Sequence, residues 1–158
     1  MLVGHSMGSQ WVVELGVQRP DLVTGVVAMG PVTDVRHRSV MAQTVALATD
    51  TLGETPAINA VVFTDYLRCG PRWYLTQLRH MLAYPIEDRV RSLRSPFLVI
   101  RGSRDPIAGL EWCRLLRSRA PRATLVLIPR QHHVAQQSAP RAVAAAIIAH
   151  MDGARAAE

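Results

Sequence analysis

Leu2-Val3-Gly4-His5-Ser6-Met7-Gly8-Ser9 is the stretch on which the reading of the chain turns. It holds Gly4-x-Ser6-x-Gly8, with an apolar stub before it and Met7, Trp11, Val12 and Leu15 at helical spacing after it. A serine at a sharp strand-to-helix turn has a strained backbone and an exposed hydroxyl. Side chains two before and two after it are expected to collide across that turn, so glycine is expected to be needed at both Gly4 and Gly8. The helix that follows aims its first N–H groups at the site, where an oxyanion can be held.

Working outward, Met1 to Val3 reads as the tail of a strand and Ser6 to about Val17 as a helix, stopped at Arg19-Pro20-Asp21. Leu22 to Met29 (LVTGVVAM) reads as a strand of the continuous apolar kind that parallel sheets bury on both faces, ended by Gly30-Pro31. Phe97 to Arg101 (FLVIR) and Ala123 to Ile128 (ATLVLI) are two more such strands, with a helix from about Gly109 to Arg119 between them. Ser138 is expected to cap a last helix that has Pro140 in its first turn and Ala142 to Met151 as its body. Strands alternating with helices predict an α/β fold with a mostly parallel sheet and right-handed crossovers.

Residues from about Asp34 to Asp88 differ in texture. They are helix-patterned, with breaks at Gly53, Pro56, Gly70-Pro71 and Pro85, and Ala57 to Leu67 and Arg72 to Leu82 are the firmer helices. A helical insertion between two strands predicts a lid over a pocket. Phe63, Tyr66, Trp73, Tyr74 and Tyr84 cluster there, and most are expected to pack the insertion's own core.

In a parallel sheet, ligands bind at the carboxyl ends of the strands. Ser6, Asp105 and His133 each fall just after a strand. A serine hydroxyl is a poor nucleophile until a base takes its proton, and a histidine can do that near neutral pH. A carboxylate on the far ring nitrogen fixes the tautomer and stabilises the imidazolium. Asp34, after the Leu22–Met29 strand, competes with Asp105, and His132 competes with His133.

These residues resemble the α/β-hydrolase fold family. Gly4-His5-Ser6-Met7-Gly8 resembles its nucleophile elbow, Arg101-Gly102-Ser103-Arg104-Asp105-Pro106 its acid turn, and Ile128-Pro129 to His133 its histidine loop. The order Ser, Asp, His is the family's. The resemblance implies a serine hydrolase, with Ser6, Asp105 and His133 as catalytic residues and the Met7 backbone N–H in the oxyanion hole. It departs from the family at His132, which stands where glycine is usual. It implies residues 1–33 as the first part of the core, 34–90 as the cap and 91–158 as the C-terminal core. Only the second half of such a domain is covered. The family's first half supplies flanking strands and a second oxyanion donor, and losing one donor typically costs about 100- to 1000-fold in rate. A missing N-terminal half, in cis or as a separate partner, is therefore expected, and a catalytically inactive or purely ligand-binding half is the rival reading.

The resemblance implies hydrolysis of a small-molecule carboxylic ester or a similar acyl or carbon–carbon bond, without cofactor or metal. Composition narrows the partners. The net charge is +6, and all 18 basic residues are arginines, spread from Arg19 to Arg155 without a long run. No nucleic-acid motif accompanies them, so nucleic acid is not an expected partner. No run of 18 apolar residues exists, so no membrane span is expected, and the first residues lack a signal-peptide pattern, which points to the cytoplasm. Cys69 and Cys113 make no metal-spacing motif and are expected to be free thiols.

Overall fold

A computed structural model describes residues 1–155. The last three residues of the predicted 91–158 segment lie outside the described residues. The sheet has four parallel strands, β1 (Leu2–His5), β2 (Val26–Met29), β3 (Phe97–Gly102) and β4 (Ala123–Ile128), in spatial order β1-β2-β3-β4. This is an α/β fold built on a parallel sheet, as the sequence predicts.

Period-two alternation divides the core into two layers. Val26, Ala28, Phe97 and Val99 face one side, against helix α1 (Gly8–Gln18), the short α5 (Ile86–Arg89) and α6 (Leu110–Arg119). Val27, Leu98 and Ile100 face the other, against the short α7 (Ala135–Ser138) and α8 (Pro140–Arg155). β3 is buried along its whole length, as a central parallel strand should be. Trp112 on α6 is fully buried, and its indole N–H donates to the Pro31 carbonyl at 2.9 Å, tying α6 to the loop after β2.

Between β2 and β3 the chain forms α2 (Val40–Gly53), α3 (Pro56–Cys69) and α4 (Pro71–Ala83). Ser39 and Thr55 cap α2 and α3 by accepting from the N–H groups of Ala42 and Ile58. Gly70, at φ 77, makes the turn from α3 to α4, and Pro71 opens the next helix.

Three expectations need correction. The strand predicted from Leu22 shrinks to Val26–Met29: Leu22 N–H closes a turn on Arg19 O at 3.1 Å, and Leu22 is 63% exposed. The neighbours pair only from Leu2 and Phe97, so earlier residues have no ladder to join. Ser138 does not cap the last helix; it ends α7, and its hydroxyl donates to Val134 O at 3.4 Å. The aromatics do not form a buried core within the insertion, since the only buried residue of α2–α4 is Asp50, although Tyr66 and Tyr74 do meet edge to face at 5.1 Å. Tyr66, Trp73 and Tyr74 instead line a cavity between these helices and the sheet.

Candidate active site

Ser6 sits between β1 and α1 at φ 55, the left-handed region that a non-glycine residue rarely adopts. Its N–H donates to Met29 O at 2.8 Å, which holds the strained turn to the end of β2. Met7 already has helical backbone angles, so its N–H lies at the amino end of α1 among groups with no partner inside the helix. A methyl group on Gly4 would stand 2.6 Å from the Gly8 carbonyl carbon and 2.8 Å from Val12 Cγ2. The collision predicted from the motif is one-sided, however: a methyl on Gly8 would meet nothing within 4 Å. The tight approach is therefore of Gly4 onto the backbone of Gly8.

Asp105 follows β3 and is 3% exposed. Its Oδ1 accepts from the N–H groups of Ile107 at 2.8 Å and Ala108 at 2.9 Å, leaving Oδ2 to meet His133 Nδ1 at 2.9 Å. The buried Arg101 guanidinium braces this turn by donating to Ala108 O and Asp105 O, each at 2.7 Å. The acid turn and the histidine loop interlock: Ser103 Oγ accepts from Arg130 N–H at 2.7 Å, and Arg104 N–H donates to Gln131 O at 2.9 Å.

His133 follows β4, and its Nε2 is buried without a hydrogen-bond partner. Ser6, Met7 and His133 line one cavity of about 410 Å³, roofed by α2–α4. Burial opposes charge on the His133 ring. The hydrogen bond and negative charge of Asp105 outweigh it, helped by Asp50, and the pKa lies above the ordinary 6.5. Burial likewise opposes charge on Asp105, and His133 with the two turn N–H groups outweighs it, holding the carboxyl below its usual value.

The competitors lie elsewhere. Asp34 accepts from Arg36 N–H and is paired with Arg36 and His37, away from His133. The His132 ring lies against Gly53, with Nδ1 3.8 Å from Asp50 Oδ1.

Four residues at the site escape sequence reasoning. His5 reads as an ordinary histidine, yet its ring stands 4.7 Å from that of His133 and its Nε2 donates to His133 O at 3.1 Å. Burial and the neighbouring His133 lower its pKa to about 4, so it is neutral and does not repel an imidazolium beside it. Asp50 Oδ1 accepts from His133 N–H, and Glu54 Oε1 from Val134 N–H, each at 3.0 Å. These two carboxylates stand four apart at the carboxyl end of α2, where like charges repel and the helix dipole disfavours anions. The histidine-loop N–H groups offset that. An acidic pair at a helix C-terminus, without a basic residue in the last turn, is the signal that could have flagged them.

Gly30 is the fourth. It has φ +52, and a methyl there would lie 2.8 Å from His133 Cε1 and 2.9 Å from Nδ1. Gly30→Ala is expected to displace the imidazole and lower kcat by about 100-fold, the usual effect of a misplacement near 1 Å. Gly70→Ala is the control, since it strains φ 77 but meets nothing within 4 Å. Steady-state kinetics with thermal melts separate the two: both variants lose stability, and only Gly30→Ala loses turnover on that scale.

The parallel sheet thus delivers to one cavity a strained serine and a buried histidine paired with an aspartate behind it. The chain belongs to the alpha/beta hydrolase family, whose model matches residues 1–146. No curated protein matches it. Among solved structures it is similar to a hydrolase from Pseudomonas aeruginosa, with TM-score 0.72 and 17% identity over 94% of this chain and 63% of that one. It is similar also to the 2-hydroxy-6-oxo-6-phenylhexa-2,4-dienoate hydrolase of Rhodococcus, with TM-score 0.67 and 18% identity over 95% and 63%. An N-acyl homoserine lactone degrading enzyme gives TM-score 0.70 and 22% identity over 87% and 62%. The chain spans less than two thirds of the length of each. At these identities the likeness is one of fold.

Proposed function

We propose that the chain carries a Ser-His-Asp hydrolase centre acting on carboxylic esters. Ser6 Oγ attacks the substrate carbonyl as His133 Nε2 takes its proton. Asp105 holds the Nδ1–H of that ring and stabilises the imidazolium. The tetrahedral oxyanion forms against the Met7 N–H at the amino end of α1. His133 then returns the proton to the leaving alcohol, and a water repeats the sequence to release the acid and free Ser6. Helices α2–α4 serve as the lid over the acyl pocket. The observation that carries this reading is the 2.9 Å contact between buried Asp105 and His133, with Nε2 unpartnered and Ser6 lining the same cavity. Nε2 makes no hydrogen bond to Ser6, and such contacts commonly tighten when substrate binds.

The pH profile of ester hydrolysis tests this reading. The base works only as neutral imidazole, and its pKa is raised above 6.5. The kcat/KM is therefore expected to fall as pH drops through a midpoint above 6.5. A midpoint below it would contradict the Asp105–His133 coupling. Stability carries the opposite sign for this group: the raised pKa favours the fold below 6.5 and that contribution is lost as pH rises through the folded value. The depressed Asp105 contributes above 3.8 and its contribution is lost on acidification.

A further inference from the structure

The cavity beside Ser6 and His133 has a charge pattern opposite to that of the whole chain. The protein carries 18 arginines and a net charge of +6. Among the described residues, no arginine lines the cavity, while three carboxylates do: Asp50, Glu54 and Asp65. Asp50 is almost fully buried and Glu54 is half-buried, both at the histidine loop. Asp65 is exposed at the mouth of the cavity on α3, beside an aromatic group on the same wall, where Tyr66 and Tyr74 meet edge to face at 5.1 Å with Trp73 adjoining in sequence. Burial, then the neighbouring Tyr74, raises the Tyr66 pKa, so that ring presents a neutral phenol rather than an anion. The buried, unpartnered Nε2 of His133 marks the reacting end of the same cavity.

The physics of a guest follows from that lining. A carboxylate entering the cavity loses water and meets carboxylates on the wall, with no arginine there to replace its hydration. An ammonium meets carboxylates and the faces of aromatic rings, which attract cations through their quadrupole. An alkyl chain is neutral to both. We propose that the cavity is charge-selective, favouring acyl chains that end in an ammonium group over plain alkyl chains, and excluding chains that end in a carboxylate. This rests on the reading of Ser6 as nucleophile for its catalytic consequence, and on the cavity alone for binding. The overall positive charge of the protein would by itself give the reverse ranking, so the ranking reports the cavity.

The test has two arms. In the first, three fluorophosphonates of equal chain length, ending in methyl, trimethylammonium or carboxylate, label the protein. Ser6 Oγ forms a bond to phosphorus, the P–F bond breaks, fluoride leaves, and the serine proton passes to His133. The trimethylammonium probe is expected to label about tenfold faster than the methyl one, and the carboxylate probe at least about tenfold slower. Asp65→Asn should shrink the ammonium-to-methyl ratio several-fold. In the second arm, calorimetry compares binding of hexyltrimethylammonium and hexanoate, which needs no turnover. Tighter binding of the ammonium supports the proposal even where no probe labels, and that combination would sink the nucleophile reading alone. Flat or reversed rankings in both arms, with Ser6 still labelled, would overturn charge selectivity and leave the nucleophile reading standing.

Discussion

Replacing His133 by alanine is expected to lower kcat for ester hydrolysis by about 10⁴-fold or more, whereas His132→Ala lowers it by less than about tenfold. The two histidines are adjacent in sequence and face different tasks. His133 is buried, bonded through Nδ1 to Asp105, and its Nε2 has no other partner. Among the described residues, no other imidazole on the cavity wall is braced by a carboxylate. His5 lines the cavity too, but its Nε2 is committed to the His133 carbonyl and its pKa is held down near about 4. A weak base of that kind would remove the serine proton poorly. His132 packs on Gly53 at the end of α2 and contributes to the loop's seat. Steady-state kinetics on a short-chain p-nitrophenyl ester reads both variants, and the reverse ranking would hand the role of base to His132.

Asp105→Asn is expected to slow turnover by about 10⁴-fold near neutral pH, with Asp34→Asn within about threefold of the parent. Asparagine keeps the shape of the turn but can donate toward Nδ1, which selects the wrong histidine tautomer. It also removes the charge that raises the His133 pKa, so the acid limb of residual kcat/KM moves to lower pH. That shift separates an electrostatic role from a scaffolding one, because an acid turn that merely collapsed would lose activity at every pH. Asp34 is spent on Arg36 and His37, so its loss unsettles only the short 3₁₀ turn Val35–His37. A near-normal Asp105→Asn protein beside a dead Asp34→Asn protein would overturn the assignment.

The sequence was most legible where local chemistry decides structure. FLVIR and ATLVLI are continuous apolar runs bounded by turn residues, and both are strands of the parallel sheet. Ser6, Asp105 and His133 could be singled out because each follows such a run. The turn before β2 was not legible, since Leu22 and Val23 are as apolar as the strand they precede and only the limits of the partner strands end the ladder. Gly30 looked like a strand breaker, and its closeness to His133 across 103 residues exists only after folding. Asp50 and Glu54 were hidden for the same reason: a helix carboxylate is normally solvated, and only tertiary contact turns these two toward the histidine loop. The aromatics of α3 and α4 were visible as a cluster, but not that Tyr66, Trp73 and Tyr74 line a cavity.

The central claim is that Ser6 is the activated nucleophile. The most direct measurement is peptide mapping by mass spectrometry after treatment with a small fluorophosphonate. One adduct is expected, on the peptide that contains Ser6, absent from Ser6→Ala and strongly slowed in His133→Ala. An adduct on another serine, or equal labelling of the Ser6→Ala protein, would contradict it.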